Sequence, residues 1–523
     1  MANFHFFNSI FKSIDLYVVK IIPLTLESAL FMLVNIAAIP LGFVLQWLLT
    51  APRVGENVRH LYSTFIGLFY CVLCFRWNTV VCLVPIIAFY PLLNCFLTNR
   101  HLGKYVRNVL RQKRITLFLS LFYLLSLHVY RHTLHYGQDK VDHTVFLMFW
   151  FQKITYMAYN LQDGQMPESE LVDDFHKKKR ITQLPSFLTY CSYFLTFLGF
   201  QMLPAFCFSD YADFIRGTNL TTFEKQDKAS NTVKEKHPSP NWMALTTIPL
   251  SIIYFCTVLM LSRHFPIQRM IGEQTVSLFH LKDESYITST SFLYKVGYCW
   301  IAMFLFRLRY YFTWKLAESS CYASGLGFSG WTEEGKEKWE LVRNGDITRV
   351  EFCTSWKEFW DSWNNMTGSW LRFICYSRIE DKTQATALTF LLSSVWHGFH
   401  PGYFVLFAHS YILVLLGRKF RHSVRPFFQG TLAKKRLYNI LGCIAFQLTI
   451  SYTFIGLETL EFAKTFTIYR SMNFYVTTII IVLFGALPED ELDSSRSHSK
   501  PEEEKGTVAR DQKTKTMSYE KTK

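Results

Sequence analysis

Between Thr383 and Gly417 the chain runs without a single Asp, Glu, Lys or Arg. Such a run is long enough to cross a bilayer, which takes roughly 20 apolar residues. Comparable blocks recur from Leu24 to Leu49, Tyr62 to Phe75, Val80 to Leu97, Ile115 to Val129 and, less purely, Val145 to Ala158. In hydrocarbon no water satisfies a backbone amide, so only helices and closed barrels can span it. Barrel strands would alternate apolar and polar residues, and these blocks do not. The expected fold is therefore all-α, a polytopic transmembrane bundle of about nine to twelve membrane helices.

The blocks continue with Leu184 to Phe208, which carries no charge and should span, then Trp242 to Leu261, Ile287 to Phe306, Leu437 to Gly456 and Ser471 to Leu487. At 523 residues the chain could hold several soluble domains, but half its residues are hydrophobic and only 18% are charged, which favours one membrane domain over residues 21–487. Residues 1–20 lack a basic start and a cleavage site, and with Phe4, Phe7 and Phe11 they read as an amphipathic segment on the membrane surface. Residues 488–523 mix acidic and basic side chains with almost nothing to bury, and should form a disordered cytosolic tail. Lys521 in that tail partially resembles a dilysine retrieval signal.

The formal net charge of +15 raises nucleic acid as a partner, but its distribution argues for lipid. Lys and Arg cluster beside apolar runs, as at Arg107, Arg111, Lys113 and Arg114, or at Arg418, Lys419, Arg421 and Arg425, where they would face anionic headgroups and the cytosol. The cysteines are scattered within apolar blocks and read as packed thiols, Cys71 and Cys74 included. Asn219 and Asn365 each open a formal glycosylation triplet, and neither reads as a modified site.

Two polar islands interrupt this membrane-grade sequence. One is Ser362-Trp-Asn-Asn-Met-Thr-Gly-Ser-Trp-Leu371; the other is Ser393-Ser-Val-Trp-His-Gly-Phe-His-Pro-Gly-Tyr-Phe404. Asn364 and His397 stand 33 positions apart in them. An ionisable ring inside a charge-free span is costly and points to function. Imidazole is the side chain whose ordinary titration lies near neutrality, so His397 is the candidate base. Asn364 cannot titrate, but its amide can orient a hydroxyl, orient the imidazole or donate to an oxyanion, and the residues leave these three open. His400, three after His397, suggests a metal pair, yet no third ligand stands at a suitable spacing.

The second island resembles the histidine signature of the membrane-bound O-acyltransferase family, Trp396-His-Gly-x-x-Pro-Gly-Tyr403, and the first resembles its asparagine motif, with Trp363 before Asn364 and Trp370 six after. Upstream, Arg309-Tyr-Tyr-Phe-Thr-Trp-Lys-Leu-Ala-Glu318, followed by Gly325-Leu-Gly-Phe328, resembles the aromatic motif of the branch that acylates lysophospholipids. The resemblance runs roughly from Tyr62 to Leu487. It implies an internal reaction chamber where two tunnels meet, with His397 and Asn364 catalytic. Tyr310, Tyr311, Phe312 and Trp314 would line the acyl-CoA tunnel, and Arg309, Lys315, Arg372 and Arg378 would suit the phosphates of coenzyme A. It implies acyl-CoA as co-substrate, no further cofactor and no metal, a lysophospholipid as acceptor, and the endoplasmic reticulum membrane as location. Gln162-Asp-Gly164 resembles a family segment near a tunnel mouth.

Other classes fit less well. A soluble-type glycerolipid acyltransferase needs His and Asp five apart, and His135 and Asp139 are one residue short. A protein, peptide or sterol acyltransferase of the same superfamily would share His397 without the Arg309-to-Phe328 pattern. A transporter or scaffold could carry an intramembrane histidine, but not the ordered company of Asn364 and the aromatic motif.

Overall fold

The computed structural model describes residues 26–51, 53–98, 112–134, 142–227, 232–271 and 290–487. The expected surface segment 1–20 and the tail 488–523 lie outside the described residues. Helices α1 (Leu26–Thr50), α2 (Glu56–Phe75), α3 (Thr79–Thr98), α4 (Gln112–Leu134) and α5 (His143–Asp163) take up the first five apolar blocks. Asp142 starts α5 by accepting from the Thr144 amide at 2.8 Å, satisfying one of the donors every helix start leaves open.

Sixteen of the 21 residues of α5 are buried, which makes it a central helix surrounded by protein. That explains why its block was less purely apolar: Gln152, Lys153 and Thr155 meet protein groups, not lipid. Among the described residues five helical stretches are long and apolar enough to cross a membrane, or six if one pair bent by 79° counts as a single span. The expectation of nine to twelve counted apolar blocks; several of those helices are too short or too polar to meet lipid all round.

The expected span from Leu184 to Phe208 is not one. After a short α6 (Asp174–Lys179) comes α7 (Phe187–Phe194), and then residues 195–207 run as turns and extended chain, buried throughout, to α8 (Phe208–Arg216). Non-helical backbone is tolerated at this depth only where protein satisfies it. Asn35 donates to the Phe200 carbonyl at 3.1 Å, Gln152 accepts from the Ala205 amide at 2.9 Å, and the Lys153 ammonium donates to the Tyr193 carbonyl at 2.8 Å.

The second half opens with α9 (Pro240–Leu261) packed along α10 (Phe292–Ser324). At 33 residues α10 is about 50 Å long, well beyond a bilayer's apolar thickness. Its Tyr298-to-Trp314 stretch belongs to one hydrophobic cluster and its Leu316-to-Ala323 stretch to another. Short helices α11 (Ile347–Phe352), α12 (Trp356–Trp360) and α13 (Asn365–Ile374) follow, then α14 (Lys382–His397), α15 (Pro401–Ser423), α16 (Leu432–Thr453), α17 (Ile455–Thr459), α18 (Phe462–Ser471) and α19 (Tyr475–Ala486). Both polar islands fall on the seam between the clusters. Trp363 packs in one and Met366 in the other; Trp396 packs in one and Leu406 in the other.

Candidate active site

The charge-free run is not one helix but two, α14 and α15, folded back on each other at Gly398 to His400. Gly398 ends α14 at φ 115° and ψ −166°, a conformation open essentially to glycine alone. Pro401 begins α15 at a position where its missing N–H costs nothing. Gly402 lies against α17: its amide donates to Leu460 at 2.9 Å, and a Cβ there would stand 2.0 Å from the Gly456 carbonyl oxygen. Each small or rigid residue of the Trp-His-Gly-x-x-Pro-Gly-Tyr motif thus serves the fold that delivers His397.

His397 is the last residue of α14. Fifteen residues along a helix is about 22 Å from the charged start at Lys382, deep in the bundle. Its Nδ1 lies 2.7 Å from the Ser393 carbonyl oxygen. A carbonyl only accepts, so Nδ1 carries the hydrogen and Nε2 keeps a lone pair. The rings of Trp396, Tyr403 and Phe407 stand 4.6, 5.2 and 5.1 Å from it, centroid to centroid.

Asn364 reaches the same chamber by a different device. It sits at φ 49° and ψ 50°, left-handed backbone that asparagine adopts more readily than most residues. That strain is held from behind. Glu318, fully buried, accepts from the Asn344 amide at 3.0 Å; Asn344 in turn accepts from the amides of Asn365 at 2.7 Å and Met366 at 3.2 Å. The side-chain amide of the neighbouring Asn365 lies 3.1 Å from the carbonyls of Asp361 and Ser362, and because carbonyls only accept, its nitrogen is the atom that belongs there. Asn364 keeps its own Oδ1 buried with no hydrogen-bond partner among the described residues.

The two islands converge because α5 binds both. Gln152 donates to Thr367 at 3.1 Å, Trp370 donates to Thr155 at 2.9 Å, and the Trp396 indole donates to the Met148 carbonyl at 3.0 Å. His397 and Asn364 line one chamber of about 630 Å³, of the size and mixed lining that small-molecule sites have. Along α15 the chamber wall runs from Tyr403 to Arg418, roughly 22 Å by helical rise. Arg418 bonds Thr386 near the charged start of α14, and Arg372, eight residues along α13 from Asn364, meets Asp361 and so Lys357, which marks one end; the other, at the far end of α14 where His128 meets the Trp396 carbonyl, carries His128, Arg131, Gln201 and His400.

The aromatic motif divides between chamber and scaffold. Tyr310 and Trp314 line the chamber and pack on Trp363, the residue before Asn364, at 5.4 and 4.8 Å. Tyr311 and Phe312 are not among the lining residues: Tyr311 is buried and bonds Glu351, and Phe312 packs on Phe255 at 4.8 Å. Of the expected phosphate cations, Arg372 alone borders the chamber. Arg309 pairs with Glu458 at 3.1 Å, and Lys315 with buried Glu318 at 2.6 Å. Arg378 forks onto fully buried Asp163 at 3.0 and 2.6 Å, its guanidinium over Tyr159 and Phe373. Each of these three cations is thus paired with a carboxylate, Arg309 from a half-exposed position. Sequence reasoning passed over Lys357 and set Arg418, the first charge after the apolar run, among headgroup-facing cations; nothing in the sequence marked His128 or Arg131.

Fold and chamber together define a multi-pass membrane protein that encloses a histidine and an asparagine away from bulk water. The chain belongs to the membrane-bound O-acyltransferase family, whose profile matches residues 68–455, and it is an O-acyltransferase. It is 28% identical over 471 residues to membrane-bound glycerophospholipid O-acyltransferase 1 of Homo sapiens, covering 89% of this chain and 90% of that one. It is 28% identical over 470 residues to lysophospholipid acyltransferase 6 of Drosophila melanogaster, covering 89% of this chain and 62% of that one. A lysophospholipid acyltransferase of Schizosaccharomyces pombe is 27% identical over 474 residues, covering 88% of this chain and 86% of that one.

Proposed function

We propose that this enzyme moves a fatty acyl group from acyl-CoA to the free glycerol hydroxyl of a lysophospholipid, remodelling phospholipids in the endoplasmic reticulum membrane. The observation that carries the reading is the tautomer of His397: with Nδ1 donated to Ser393, Nε2 is left as a proton acceptor on a residue that lines the chamber. Nε2 takes the hydroxyl proton as the glycerol oxygen attacks the thioester carbon. The carbonyl oxygen gains charge and accepts an N–H of Asn364, whose strained backbone and buried pinning hold it ready. The C–S bond then breaks, the imidazolium returns its proton to the leaving sulfur, and coenzyme A departs as a thiol.

The end with Lys357, Arg372 and Arg418 suits the phosphates of coenzyme A, because these cations border the chamber on the side of the densest basic segment, which the charge rule places in the cytosol. The lysolipid then occupies the opposite arm. Transfer by the purified protein across a panel of lysolipids, a peptide and a sterol, beside His397→Ala and Asn364→Ala, tests the reading. Undiminished transfer by His397→Ala would remove the base, and transfer to peptide or sterol alone would move the substrate class.

A further inference from the structure

The mechanism above does not use His128, which sits on α4, 268 residues from its partner. It is buried, and its Nε2 lies 3.1 Å from the carbonyl oxygen of Trp396, the residue before the base. Since that oxygen only accepts, His128 donates from Nε2. The last carbonyls of a helix have no partner inside it. At the end of α14 the Gly398 amide turns back to Val395, and the chain then leaves the helical path. The Trp396 carbonyl is met instead by the ring from α4.

The same ring presses on the other side of His397. A Cβ on Gly398 would stand 3.1 Å from His128 Nδ1 and 3.3 Å from its Cγ. One imidazole therefore bonds the carbonyl before the base and fills the space a side chain would take on the residue after it, at the point where α14 stops. Among the described residues the His397 ring is held by one hydrogen bond, to Ser393 within its own helix, and by ring contacts, which carry no directional bond.

We propose that His128 is a positioning residue for acyl transfer. Its donation to Trp396 fixes where α14 ends, and so the direction in which His397 presents Nε2. It touches none of the reacting atoms. The proposal rests on the reading of His397 as base, because it is the aim of that base which His128 sets.

The test compares His128→Leu, His128→Asn, His128→Gln and His397→Ala in the full-length enzyme, measuring kcat and KM for both substrates, thermal unfolding and the pH profile. A glutamine amide reaches about as far as Nε2, whereas an asparagine amide falls short of the Trp396 carbonyl. His128→Leu and His128→Asn should lower kcat roughly 10- to 100-fold at a nearly parental KM for acyl-CoA, the scale that a misplacement of about 1 Å produces. His128→Gln should recover to within a few-fold and keep the parental pH profile. Parental turnover in His128→Leu or His128→Asn would overturn the proposal, as would a glutamine variant no faster than the asparagine one. Should the leucine variant fail to fold, the asparagine and glutamine pair still decides. A glutamine variant whose profile loses its rising limb would make His128 a titrating participant and overturn the positioning role. His397→Ala separates the two claims: its activity reports on the base, whatever the His128 series does.

Discussion

Asn364 and His397 reach the chamber at different structural cost, and that difference predicts different mutant behaviour. His397 ends a regular helix, so His397→Ala should fold at parental stability and lose roughly 10²- to 10⁴-fold in kcat, the usual worth of a positioned base. Asn364 holds a left-handed backbone at φ 49°, where alanine is strained and glycine is not. Asn364→Gly should therefore unfold no earlier than the parent, yet lose roughly 10²- to 10³-fold in turnover, as the removal of one oxyanion donor does. Near-parental kcat in the glycine variant would reduce Asn364 to a turn residue, and differential scanning fluorimetry beside single-turnover transfer reads both quantities. Neither backbone state could be read from the residues, because it comes from the buried chain of Glu318 and Asn344, which the sequence does not connect to Asn364. What could be read was chemical type: an imidazole in a charge-free run and an amide between two tryptophans.

Among the elements, the break between α14 and α15 depends on two glycines with separate duties. Gly398 supplies a dihedral pair that other residues avoid, and Gly402 lets α15 approach α17 until a Cβ would meet the Gly456 carbonyl at 2.0 Å. Gly402→Ala should cost at least about 1 to 3 kcal/mol by overpacking, seen as an earlier thermal transition and weaker transfer. Gly417→Ala, on the same helix with nothing within 4 Å, should be silent. Equal transitions for the two would mean that α17 moves away without resistance. A second brace joins α5 to the segment after α13, where Arg378 forks onto Asp163. Arg378→Met leaves a carboxylate buried without its cation and should cost about 3 kcal/mol. The sequence allowed Arg378 to be taken for a phosphate ligand because an isolated arginine looks alike in either role. In the structure it forks onto buried Asp163, 215 positions away, a partner that the sequence does not reveal. The same blindness affects the block from Leu184 to Phe208. Its apolar composition reads as a span, while the groups that satisfy its irregular backbone, Asn35, Gln152 and Lys153, lie in other helices.

Across the whole molecule, exposed apolar side chains such as Phe65, Trp77, Leu293 and Ile481 present the surface that lipid covers, and charge gathers at one end of the chamber. There Asp361 pairs with Lys357 and lies 3.6 Å from Arg372, so the carboxylate competes with any anion those cations would hold. Arg418 stands apart from it, donating to Thr386 at 3.2 Å. Opposite signs follow. Arg372→Gln and Arg418→Gln should each raise the KM for acyl-CoA roughly threefold to tenfold, about 0.7 to 1.4 kcal/mol, a modest value because both side chains are exposed and screened by solvent and salt. Asp361→Asn should lower that KM by freeing two cations at once. In all three variants the KM for the lysolipid should hold, since its arm of the chamber lies at the far end. Raising the salt should shrink each effect, because charges at a wet mouth act through a screened field. A donor lacking the 3′-phosphate should shrink some of them too, and which ones identifies the cation facing that group. If Asp361→Asn raises the KM instead, the carboxylate organises the mouth and does not compete for it, and the phosphates must then lie elsewhere along the chamber.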